Sequence, residues 1–229
     1  MRQRGWFYPA SAALALALAI GGFSITYLSP MLEGASRPPL LVHLHAAVFS
    51  TWLLLFLVQS CLVAAGRVRL HRTLGVAGFL LVPLMIASGC QVALTVTAGF
   101  VAEGAGDAAR SFLLVPLTDL VLFAGLVACG LACRRRPEIH RRLMLLATAA
   151  LLPPAIARAF IPLGVMSSWP STFAADLFLV AAIARDLWLD RRVHPAHRWA
   201  AAWILGVHIL RELSADSAVW HSIARRLIG

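Results

Sequence analysis

No lysine occurs in the 229 residues, so all 20 basic side chains are arginine. That absence excludes lysine chemistry, including a retinal Schiff base in a seven-helix bundle. Charge of either sign is scarce: 13% of residues are ionised at neutral pH, against about 25% in an ordinary soluble domain. The four cysteines, Cys61, Cys90, Cys129 and Cys133, all lie in apolar runs and form no Cys-x-x-Cys pair. They read as small buried hydrophobes, with no disulfide framework. A nucleotide-binding glycine loop, a serine-nucleophile motif and a zinc-protease helix motif are also missing.

Apolar residues fill the space that charge leaves. They make up 60% of the chain, and mean hydropathy is +0.82. This balance excludes a soluble globular protein, a disordered chain and an ordinary nucleic-acid-binding module. A spanning helix uses about 20 residues, so seven would take roughly 140 and leave short connections. The apolar runs predict an all-α, polytopic transmembrane bundle in one integral membrane domain over 1–229. Its seven helices are expected at about 6–28, 40–65, 73–97, 111–133, 142–163, 172–189 and 199–213. The first run follows Met1-Arg2-Gln3-Arg4 like a signal-peptide leader, but its length and the lack of a small-residue cleavage site favour an uncleaved helix. The tail 214–229 sets Val219, Trp220, Ile223 and Leu227 near one side of a helix. It is expected to lie in the interface with Arg225 and Arg226 on its wet side.

Arginine sets the orientation. With the N-terminus in the cytoplasm, the inner segments hold thirteen arginines, while the three outer loops hold only Arg37 and Arg110. The positive-inside rule then places the C-terminus outside, in a bacterial inner membrane on the periplasmic side. Three inner junctions share a pattern: Leu70-His71-Arg72, Ile139-His140-Arg141 and Ala196-His197-Arg198. The later six helices thus read as three related hairpins after a lone first helix.

Ionisable groups inside a membrane are costly and mark candidate sites. Two levels emerge. Towards the outside lie His43, His45, Gln91, Asp119, Arg158, Asp176 and His208, drawn from six helices. Asp119 and Arg158 suit an intramembrane ion pair, and the group as a whole suits a cavity open to the outer side. His45, Trp52 and Gln59 repeat every seven residues and form a polar and aromatic stripe along one helix face. His43 points away from His45. Towards the cytoplasm lie His71, His140, His194 and His197, which as interfacial residues suit capping or headgroup contact and, less simply, ligation.

The run Val42-His43-Leu44-His45, with Trp52, Gln59 and Leu70-His71-Arg72-Thr73-Leu74-Gly75, resembles a family of bacterial multi-pass membrane proteins without an assigned activity. Glu138-Ile139-His140-Arg141-Arg142-Leu143-Met144 and Ala157-Arg158 fit the same family, over about residues 5–213. A weaker similarity, to di-haem membrane cytochromes of the ascorbate-reducible b type, implies bis-histidine haem b held by His71 with His140 and by His45 with His208. Trp52 would pack the macrocycle. Another similarity, to seven-helix zinc hydrolases of the ceramidase and adiponectin-receptor group, implies a metal on His43 or His45, Asp119 and His208, with Arg158 holding an anionic group. Three functions stay open at this point: a binding, transport or assembly protein built around the outer cavity, a haem-bearing redox protein, and a metal-dependent hydrolase. The expected surroundings are lipid; neither nucleic acid nor a particular protein partner is implied.

Overall fold

A computed structural model describes residues 5–34, 38–165 and 167–228. Met1-Arg2-Gln3-Arg4 and Arg37, used above for orientation, lie outside the described residues. The chain is all-α, with no strand among the described residues. Seven helical rods follow one another: α1 (Phe7–Phe23) continued through a π-helical turn into α2 (Ser29–Leu32), α3 (Leu40–Ala64), α4 (Val68–Phe100), α5 (Gly106–Ala132), α6 (Pro137–Ala149) continued by α7 (Pro153–Phe160), α8 (Trp169–Asp190) and α9 (Pro195–Ala215). A short α10 (Ala218–Ile228) ends the chain.

Among the described residues, four stretches are long and apolar enough to cross a membrane: Phe7–Leu32, Leu40–Ala64, Val68–Ala132 and Pro137–Leu163. The third contains both α4 and α5, which turn back on each other where Gly104 and Gly106 take positive φ (96° and 55°) that a side chain would resist. Large apolar side chains face outward along the rods, as with Leu80 (73% exposed), Val76, Leu177 and Ile209. So broad an apolar exterior suits lipid rather than water, and the protein is a membrane protein. The inward sides close on a core centred on α5 and α6, where Phe123, Leu126, Leu146 and Ala147 are fully buried.

Local chemistry sets the breaks. Pro137 and Pro195 occupy the first turns of α6 and α9, where a missing N–H costs nothing. His194 caps α9, its Nδ1 accepting from the Ala196 N–H at 3.1 Å. Pro153-Pro154 interrupts what the sequence suggests is one helix over 142–163, so that α6 ends at Ala149 and α7 begins at Pro153. Gly22 lets α1 press against α7: a Cβ there would lie 2.0 Å from the carbonyl oxygen of Ala155. The other boundaries depart from the sequence reading mainly by a few residues of extra helix at the ends of α4, α5, α8 and α9.

The tail does form a helix, and Arg225 and Arg226 are exposed on it. Its inner side carries Ala224, fully buried, and Trp220, whose Nε1 donates to the Arg110 carbonyl at 2.8 Å. Val219, Ile223 and Leu227 face outward.

Candidate functional site

The third hairpin, α8 with α9, is joined by polar pairs. Along the two antiparallel helices Thr172 meets Arg211 at 3.2 Å, Asp176 meets His208 at 3.4 Å, and Asp186 meets His197 at 2.6 Å. Two separate clusters result, one near each end of the bundle.

The first cluster joins the middle of α5 to the first turns of α8 and the last turns of α9. Arg211 donates from Nη1 to Asp119 Oδ1 of α5 at 3.1 Å and from Nη2 to Thr172 Oγ1. Both members of the ion pair are buried, and Glu212 lies 3.5 Å from Arg211 Nε at the rim. The second carboxylate oxygen of Asp119 is buried and has no hydrogen-bond partner. Beside it, His208 Nδ1 lies 3.4 Å from Asp176, whose side chain is 22% exposed. Asp119, Thr172, Asp176 and His208 share the wall of a cavity of about 20 Å³ with apolar residues of α5 to α9. That volume holds about one water molecule. It is far too small for a macrocycle or a bulky substrate.

The arrangement corrects several expectations. Asp119, Asp176 and His208 do come together, but the cation is Arg211 and not Arg158. Arg158 is carried by α7 towards α1, where it stacks over Phe23 at 4.1 Å, donates to Thr26 Oγ1 at 2.7 Å and bonds the Pro154 carbonyl. Gln91 is exposed on α4 and lines no cavity described here. His43 bonds the Tyr27 hydroxyl, while His45 lies on Phe49 with ring centroids 4.1 Å apart. The expected metal set of His43, His45, Asp119 and His208 is therefore not assembled: among the described residues no three His, Cys, Asp or Glu side chains form a group that could hold a metal ion. His45 and His208 take different partners, Phe49 and Asp176. The stripe on α3 is packing: Trp52 is buried, meets Phe123 edge-on and donates to Thr148 Oγ1 at 3.2 Å, while Gln59 lies against Gly75.

The second cluster lies at the arginine-rich end. Asp186 accepts from Arg142 at 2.6 Å, from His197 Nδ1 at 2.6 Å and from the His194 backbone N–H at 3.1 Å. Its side chain is 0% exposed, and those of Arg142 and His197 are each 1% exposed. Arg142 also reaches Glu138 Oε2 at 2.7 Å. One carboxylate thus ties α6, α8 and the start of α9 together. In the connection between α8 and α9, burial and then the nearby Arg142 charge hold the His194 imidazole below its ordinary pKa. Sequence reasoning missed both Asp186 and Arg211. The available signal was an acidic residue in an apolar run near an arginine-rich junction, and an arginine one turn beyond a membrane histidine.

His71 and His140 do approach each other across α4 and α6, with ring centroids 6.3 Å apart. His140 Nδ1 is bonded to the Gly130 carbonyl at 2.8 Å, and His71 Nδ1 is buried without a hydrogen-bond partner. The four cysteines are free, and Cys129 is exposed.

No protein-family model, no curated protein and no solved structure matches the chain.

Proposed function

We propose that the chain is a proton-linked membrane transport protein whose proton-binding element is the Asp119–Arg211 and Asp176–His208 cluster. The observation that carries this reading is the charge balance of the cluster. Two carboxylates, Asp119 and Asp176, line one largely buried cavity beside one permanent cation, Arg211, while a third, Glu212, approaches the same guanidinium from the more exposed rim. An uncompensated charge within a bilayer is expensive, so the balance is made up by a proton on the Asp176–His208 pair. Asp176 gives that proton its way out. The cavity has room for water but not for cargo, so solute binding belongs to a state in which α8 and α9 separate. Polar pairs at this hairpin suit such a motion better than interlocked side chains, since they can exchange protein partners for water. The membrane is the bacterial inner membrane, with the arginine-rich end in the cytoplasm and α10 on the outer side.

Reconstituted vesicles with an entrapped pH dye test the proposal. Under an imposed membrane potential the protein is expected to carry protons faster than protein-free vesicles, and Asp176→Asn is expected to abolish the excess. A wild-type rate equal to that of empty vesicles overturns the reading.

The approach of His71 and His140 favours a second reading, a single b-type haem held between α4 and α6. The Gly130 carbonyl would orient the His140 ring and leave its Nε2 for the iron. Sharp reduced α and β bands lost in His71→Ala and His140→Ala would support it. A colourless, folded protein from haem-replete cells rules it out and leaves the proton-linked reading intact.

A further inference from the structure

Above the Asp186 cluster, whose Glu138, Arg142 and His194 share its lining, the arginine-rich end carries an open groove of about 1120 Å³ between the start of α6, the end of α8 and the start of α9. Five arginines line it against two carboxylates, Glu138 and Asp190. Glu138 is engaged by Arg141 and Arg142, and Arg142 is further fixed by buried Asp186. Arg192 and Arg198 are exposed and form no ion pair among the described residues. The groove thus presents a surplus of positive charge on a floor held rigid by the Asp186 lock.

Its depth is marked by a separate observation. Trp188 of α8 is 72% exposed and Trp199 of α9 is 79% exposed, each next in sequence to a residue of the groove, Leu189 and Arg198. Indoles so placed settle at the headgroup level of a bilayer. Leu189 and Val193 add apolar lining between the arginines. A soluble anion needs none of these apolar neighbours, whereas a lipid offers a phosphate to the arginines and the start of its chains to the apolar wall.

We infer that this groove binds the headgroup of an acidic phospholipid carrying two phosphates, with Arg192 and Arg198 as its principal contacts. The groove's size and surplus charge suit two phosphates better than one. Guanidinium groups pair bidentately with phosphate oxygens. The inference stands independently of the proton-linked reading, because the groove and the proton cluster lie at opposite ends of the bundle.

Native mass spectrometry of the full chain in detergent tests it, using cardiolipin, phosphatidylglycerol, phosphatidylcholine and inorganic pyrophosphate as separate probes. Cardiolipin is expected to bind most tightly. The double variant R192Q/R198Q is expected to weaken it about thirtyfold, from about a fivefold loss per arginine near a membrane surface. Both positions are exposed, so the fold is retained. The control R225Q/R226Q, on the tail at the other end, should bind as wild type does. Equal retention of phosphatidylcholine, or unchanged cardiolipin binding by R192Q/R198Q, overturns the inference. Phosphatidylglycerol binding as tightly as cardiolipin overturns the two-phosphate assignment. Pyrophosphate binding that R192Q/R198Q abolishes, without lipid binding, assigns the groove to a free anion instead.

Discussion

Replacing Arg211 by methionine leaves Asp119 buried without its cation. Breaking a buried ion pair from one side costs about 3–5 kcal/mol, because the remaining charge stays desolvated. For a chain of this size about 1 kcal/mol corresponds to a 2–4 °C shift, so R211M should melt roughly 6–20 °C below wild type. The double variant D119L/R211M removes both charges and fills the space with apolar atoms. Such replacements are often neutral or stabilising by about 1–4 kcal/mol, so most of the loss should be recovered. Thermal unfolding in detergent, followed by helix circular dichroism and by labelling of the free cysteines, measures the cycle. D119L and R158M should by contrast be additive, since Arg158 faces Phe23 and Thr26 rather than Asp119. The reasoning is refuted if D119L/R211M melts as low as the sum of its single variants, or if Arg158 and not Arg211 is coupled to Asp119.

Two further predictions follow from the helix contacts. Gly22→Ala should lower stability by about 1–3 kcal/mol, the usual cost of overpacking, because its new methyl meets the Ala155 backbone; Gly21→Ala, with nothing within 4 Å, should have little effect on the same melting curve. At His194 the neutral imidazole caps α9, and its pKa is lowered in the folded protein. The stabilising contribution is therefore present above the ordinary histidine value of about 6.5 and is lost as pH falls through the lowered folded value. Protection factors of the amides at the start of α9, taken relative to intrinsic exchange at each pH, should fall on acidification, while His194→Asn, which keeps a capping acceptor, should remove that dependence.

The residues show what was legible in the sequence. Helix number and the tail follow from apolar run lengths, and Asp119, Asp176 and His208 stand out because polarity is expensive in a membrane. Hydropathy gives a residue's depth but not its direction around the helix. Arg158 has a suitable depth to meet Asp119, yet the break at Pro153-Pro154 carries α7 towards α1 and turns the guanidinium away. Arg211 lies near the end of a helix that runs to Ala215, beyond the expected boundary at 213. Two residues apart on one helix, His43 and His45 point to different sides, and the structure gives them Tyr27 and Phe49 as partners. The Asp186 lock was hidden because its acid, cation and imidazole come from three separate stretches of chain.

The central claim is that the Asp176–His208 pair holds one proton, which balances the cluster. Nuclear magnetic resonance of the protein labelled with ¹⁵N-histidine and ¹³Cγ-aspartate reads the claim directly at about neutral pH, where histidine titration is ordinarily observed. The account predicts one proton on the pair, as imidazolium with carboxylate or as imidazole with carboxylic acid. Asp176→Asn should leave a neutral imidazole at His208. A neutral imidazole beside two ionised carboxylates in the wild-type protein would contradict the account.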